Sequence, residues 1–279
     1  MPSHNSGLNQ NDSFSRSSHI TTMAGISEFD LTGHVVVLTG GTGGLDIVQA
    51  EALVEVGAIV TPLPEKEAAA DTGRQENYPD QLYFRNVDVR DNVKLNEIVA
   101  DIAKEHGRLD GCIAAAGINH ECPAIDYPKV EVDRILGINV MGCFLTAQAV
   151  ARQMKKFGEG GSIVMIASMS AHIANKGSEF ALYNSSKAAV LQLARNLAME
   201  WGPDNIRINT ISPGYIVTEM VEELFKTKPE RKEQWAKENM LGRLSMPAEY
   251  RGATLFLLSK ASSFMTGADL KMDGGHSAW

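Results

Sequence analysis

Tyr183 and Lys187 form a Y-x-x-x-K pair. Four residues apart on a helix, a phenol and an ammonium share one face. In such a pair the positive charge favours the phenolate, the form that accepts a proton. The spacing is common in helices, so its surroundings must carry the meaning. Upstream, Gly161 to Ser168 reads GSIVMIAS, an apolar run ending in a serine. A hydroxyl at a strand's carboxyl end can hold a substrate oxygen. Ser170 competes for that role, His172 follows the serine, and Cys143 sits near Asn139 and reads as a core residue. A second cluster, Thr39 to Asp46 (TGGTGGLD), is rich in glycine. Bare glycines allow a tight turn and close backbone approach to a phosphate, whose charge the N–H groups of a following helix can hold.

These groups need a scaffold, and the apolar pattern supplies one. Short apolar runs occur at 34–39, 58–63, 82–89, 111–116, 162–167, 206–211 and 268–272. Helical spacing fills 45–56, 92–106, 129–156, 182–201 and 247–259. Continuous apolar strands alternating with helices predict a parallel sheet covered on both faces. The expected fold is a single doubly wound Rossmann-type α/β domain over residues 28–279, with ligands at the carboxyl ends of its strands. The glycine cluster then lies between the first strand and the first helix, as a dinucleotide-binding turn requires. Residues 215–244 break the alternation after the Pro213-Gly214 turn with a charged helical stretch, which predicts a lid beside the ligand edge.

Composition narrows the function classes. The 279 residues carry 26 Lys plus Arg against 34 Asp plus Glu, a net charge of −8. That balance gives no global attraction to nucleic acid or anionic membrane, and no uncharged apolar stretch approaches ~18 residues. Cys112, Cys122 and Cys143 have neither disulfide nor zinc-site spacing, so no metal is expected and the thiols read as inert. Residues 1–27 are rich in Ser and Asn and read as a tail without a signal-peptide core. A cytoplasmic location is the expectation.

Together these motifs resemble the short-chain dehydrogenase/reductase family over about residues 30–275. Thr39, Gly40 and Gly44 match its T-G-x-x-x-G-x-G turn, Asp88-Val89 its adenine-contacting pair, and Asp273-Gly274-Gly275 its C-terminal signature. Ala114-Ala115-Ala116-Gly117 stands for N-N-A-G. The resemblance implies Tyr183 as general acid/base, Lys187 as its tuner and ribose ligand, Ser168 as carbonyl holder, and Asn139 of GINVMG in a proton relay. For the serine, Ser170 has the family's commoner separation from Tyr183, while the strand-end motif favours Ser168. The family also implies an NAD or NADP site built from Gly40, Thr42, Gly44, Leu45, Asp88, Val89, Ala116, Gly117, Tyr183, Lys187, Pro213, Gly214, Ile216 and Thr218. It implies a small-molecule substrate, a secondary alcohol or ketone, and a homodimer or homotetramer built on two long helices. The wording is most like fungal polyol, sorbose and carbonyl reductases.

Two positions depart from the family. Asp46 replaces the last glycine of the turn, where a carboxylate adds bulk and a like charge beside a diphosphate; alternatively it turns outward and caps the helix. Pro64 falls where the second strand would offer a ribose-binding acid, with Glu65 and Lys66 as possible substitutes. A decayed cofactor site would leave the Ser–Tyr–Lys set to cofactor-independent isomerisation, elimination or cyclisation, and that alternative stands beside hydride transfer.

Overall fold

The computed structural model describes residues 27–40, 43–65 and 76–279. The expected tail up to residue 26, together with Thr42 and Lys66, lies outside them. One sheet of six parallel strands organises the chain. Its strands are β1 (Val35–Thr39), β2 (Ile59–Leu63), β3 (Gly111–Ala114), β4 (Gly161–Ile166), β5 (Ile206–Pro213) and β6 (Asp269–Met272). Their spatial order is β2-β1-β3-β4-β5-β6. The order reverses between β1 and β3, which opens a crevice at the strands' carboxyl ends.

The helices are α1 (Gly44–Glu55), α2 (Asn92–His106), α3 (Lys129–Leu136), α4 (Cys143–Phe157), α5 (Ala181–Trp201), α6 (Glu219–Thr227), α7 (Glu230–Lys237) and α8 (Arg251–Leu258). Strand β1 is buried along its whole length because its side chains alternate between two helical layers. Val35 and Val37 pack with Leu95, Val99, Val150 and Leu197 from α2, α4 and α5. Val36 and Leu38 pack with Ala50, Leu53 and Leu257 from α1 and α8. That two-faced burial is why the strands read as unbroken apolar runs.

The expected strand at 82–89 is corrected to an extended segment held from one side. Val60 N donates to Gln81 O, while Tyr83 N, Arg85 N and Val87 N donate to the carbonyls of Val60, Pro62 and Pro64. The returning bonds would come from the N–H groups of residues 62 and 64, and proline has none. The pairing therefore shrinks to one bridge, Val60 to Leu82.

The expected helix over 129–156 is also divided. Between α3 and α4 the segment Gly137–Gly142 is a π-helix, with Asn139 inside it. A β-carbon on Gly142 would lie 2.5 Å from Val89 Cγ2, so only glycine lets this wide turn settle on the segment before α2. π-turns of this kind recur at functional sites.

Candidate active site

Lys187 and Asn139 meet over Gly117, just beyond the carboxyl end of β3. A β-carbon on Gly117 would lie 3.2 Å from Lys187 Nζ and 3.5 Å from Asn139 Oδ1. Both side chains are nearly inaccessible to solvent, and a buried ammonium needs partners. Lys187 Nζ donates to the carbonyl of Ile166 at 2.8 Å and stands 5.8 Å from the centre of the Tyr183 ring. One turn of α5 thus brings phenol and ammonium together beside the end of β4.

Asn139 is a brace. Its Oδ1 accepts from Ile118 N at 2.8 Å, and its Nδ2 donates to Ile118 O at 2.9 Å and Ser186 Oγ at 3.0 Å. Ser186 Oγ in turn donates to the carbonyl of Tyr183 at 2.7 Å. The loop after β3, the π-segment and α5 are tied into one unit. Ser168 and Ser170 are both buried just past β4, and the N–H of Ser170 donates to Ser168 Oγ at 3.1 Å. His172 points elsewhere, pairing with Asp269 at 2.8 Å. Cys143 is buried, and burial pushes its thiol up to about 11; Cys112 is buried too, with its thiol raised by the same cause.

A cleft runs away from this centre across the sheet. Gly40, Asp88, Val89, Ala116 and Gly117 line it, with Asp46 and Glu65 among the added walls. Ala116 N donates to Thr39 Oγ1 at the long distance of 3.5 Å. Arg90 stands at the far end, where its guanidinium grips Asp88 at 2.6–3.0 Å and reaches Glu65 at 3.4 Å. That grip holds the Asp88 carboxyl below the usual carboxylate range. The remaining expected contacts are not among the residues that line this cleft, and Gly214 lines a separate cavity with Tyr215 and Asp273. Pro213 ends β5, and Gly214 N donates to Met272 O. A β-carbon on Gly214 would lie 2.7 Å from Asp273 Cα, which explains the glycine. Ile216 bridges to Ser245. Thr218 caps α6 and touches Gly44, whose β-carbon would lie 3.4 Å away. Leu45 packs toward the α1–α8 layer.

The segment at 215–244 forms α6 and α7, docked by contacts the sequence did not announce. The Trp235 ring stacks on Tyr215 with centres 4.0 Å apart, and Arg231 lies over the Trp235 ring. Arg231 and Lys228 both hold Glu121 from the loop after β3, and Arg231 above all keeps that carboxyl below its ordinary range. Asn175 Nδ2 donates to Tyr215 Oη at 3.2 Å, and Asn184, next to Tyr183, donates to Asn175 Oδ1 at 3.0 Å. Sequence reasoning missed Glu121, Arg231, Asn175 and Asn184 because their partners are distant in the chain.

The cleft fits a nicotinamide dinucleotide at both ends. Gly117 leaves the floor open beneath Lys187, and carboxylates stand at the far wall where ribose hydroxyls need acceptors. The turn between the ends departs through Asp46.

Comparison with known proteins agrees with this architecture. A family model described as enoyl-(acyl carrier protein) reductase matches residues 45–277. The chain is 41% identical over 262 residues to the short chain dehydrogenases/reductase notP' of Aspergillus versicolor, covering 90% of this chain and 89% of that one. It is 34% identical to an NADH-dependent L-xylulose reductase of Ambrosiozyma monospora, covering 91% and 98%. A crystal structure of a short-chain type dehydrogenase/reductase from Mycobacterium marinum superposes with a TM-score of 0.83 at 34% identity, covering 91% and 98%. Fold, strand-end cluster and relatives agree: the chain belongs to the short-chain dehydrogenase/reductase family and is an oxidoreductase of that type.

Proposed function

We propose that this protein interconverts a secondary alcohol of a sugar alcohol with the corresponding ketose, using a nicotinamide dinucleotide. The observation that carries the reading is the meeting of Lys187 and Asn139 over Gly117, with Tyr183 on the same face of α5. The named activity of the xylulose reductase relative supports the substrate class. The cofactor-independent alternative has no counterpart among the relatives described above, which are named as dehydrogenases and reductases.

The dinucleotide, when bound, supplies or takes the hydride at the carbonyl carbon. In the reducing direction Tyr183 Oη gives its proton to the carbonyl oxygen, and in the oxidising direction it takes the proton back. Lys187 holds positive charge beside the phenol and so stabilises the phenolate left after transfer. Ser168 holds the reacting oxygen, and Asn139 fixes the backbone on which Lys187 and Tyr183 stand. Lys187, Gly117 and Ala116 would hold the nicotinamide end of the dinucleotide, and Asp88 and Glu65 its adenosine end. Helices α6 and α7 form the lid over the substrate side.

Tyr183→Phe keeps the ring and removes the transferable proton. Ketose-dependent NADH oxidation should fall by about 10²-fold or more, with NADH binding and thermal midpoint nearly unchanged. Activity retained within a few-fold would reject Tyr183 as the proton donor.

A further inference from the structure

Helix α1 begins without a side-chain cap: its N-cap is Gly43, and the only acid in its first turn is Asp46. The Asp46 carboxylate turns back toward that helix end. A β-carbon on Gly40 would lie 2.6 Å from Asp46 Oδ2, and one on Gly43 would lie 3.1 Å from it. The oxygen therefore sits over two of the bare glycines that open the turn, and Asp46 lines the cleft itself. The carboxylate thus takes the helix-end position that the sequence offered as one alternative, and it does so while lining the cleft. A helix N-terminus carries partial positive charge and favours an anion. Here the chain supplies that anion from its own first turn.

We propose that Asp46 is a tethered competitor for the dinucleotide's diphosphate. It holds the anion's place in the resting cleft, and binding must displace or neutralise it. The inference rests on the oxidoreductase reading above and adds a determinant of cofactor affinity. Two effects act together. Bulk over Gly40 and Gly43 blocks close approach of the backbone to a phosphate. Like charge repels it, by an amount that salt reduces. The same carboxylate steadies its own helix, so affinity and stability should move in opposite directions when it is removed.

The test is a titration of the full chain with NADH, followed by calorimetry or protein fluorescence at low and high ionic strength. Wild type is compared with Asp46→Asn, which removes charge at nearly constant shape, and Asp46→Gly, which removes both. At low salt Asp46→Asn should bind NADH about tenfold more tightly, and Asp46→Gly about tenfold to a hundredfold. The gap between wild type and Asp46→Asn should narrow at high salt, a comparison that removes the general effect of the protein's net negative charge. Adenosine, which has no diphosphate, should bind all three forms alike. Without ligand, both variants should melt at lower temperature than wild type. Equal NADH affinity in the three forms at low salt would overturn the competitor while leaving the oxidoreductase reading standing. Tightening by Asp46→Gly alone would overturn the electrostatic part. Failure of every form to bind either NADH or NADPH would overturn the proposed use of a dinucleotide and the competitor with it.

Discussion

At the scale of single residues, charge at the end of the cleft makes a prediction about cofactor choice. The far end of the cleft is lined by Glu65 and Asp88, and the nearby Arg90 is already committed to both. Among the described residues, two carboxylates against one guanidinium leave a surplus negative charge there, which would disfavour a 2′-phosphate, whereas ribose hydroxyls could donate to the same oxygens. NADH should therefore bind more tightly than NADPH. Glu65→Lys should reverse the surplus and tighten NADPH by about tenfold, with a smaller change for NADH, read as dissociation constants. NADPH bound as tightly as NADH by the wild type would refute the assignment. Pro64 is compatible with this role for Glu65, since its carbonyl is used in accepting Val87 N and its ring fixes the loop from which Glu65 departs.

Among the elements, α7 has the most distinctive attachment. It carries few apolar anchors beyond Trp235 and is tied to the loop after β3 by Arg231 on Glu121, with Lys228 adding a second contact from just before the helix. Arg231 and Glu121 are partly shielded from solvent, so the pair should stabilise the docked helix by about 1 kcal/mol. Glu121→Gln should raise amide exchange through α7 several-fold and lower the thermal midpoint slightly at pH 7. The sign of the pH dependence follows from the direction of the shift. The folded-state pKa of Glu121 lies below its unfolded value, so the contribution is complete above the ordinary carboxylate range and is lost as pH falls through the folded value. Wild type and Glu121→Gln should differ at neutral pH and converge on acidification. A difference constant down to the acid transition would show that the ion pair does not hold α7.

At the scale of the whole molecule, one apolar face is left uncovered by the described residues. Leu136, Val140, Met141 and Phe144 from α3, the π-segment and α4 line a groove with Leu193 of α5. Leu136 and Met141 remain exposed to 39% and 48%. Contiguous apolar surface of this kind marks an interaction site, and a two-fold pair of such faces is self-complementary. The chain should assemble as a homodimer or homotetramer through this groove. Met141→Glu together with Leu193→Glu should dissociate it by light scattering while leaving far-ultraviolet circular dichroism unchanged. A monomeric wild type at micromolar concentration would remove the prediction.

The alternating apolar runs and helical spacings were enough to read a two-layered parallel α/β sheet, because period and burial are local consequences of side-chain type. The run His34 to Thr39 could be placed as a buried strand from its letters alone, and the strand forms at Val35–Thr39. Tyr183, Lys187, Ser168 and Asn139 stood out in the same way, as residue types at familiar spacings, and the proposed chemistry is assigned to them on that basis. Distances across the chain could not be read that way. The edge segment at 82–89 looked like a strand until Pro62 of β2 and Pro64 just after it stood opposite it without donors. Gly137 and Gly142 bracketed Asn139 visibly, yet the π-turn between them depends on Val89 pressing where a β-carbon would be. Glu121 and Arg231 are 110 positions apart, and no local pattern announces such a pair. Asp46 marks the boundary most clearly. Its identity left two roles open, a conflict with an anion at the glycine turn or a cap on the helix, and only the tertiary structure brings its Oδ2 beside Gly40 and Gly43.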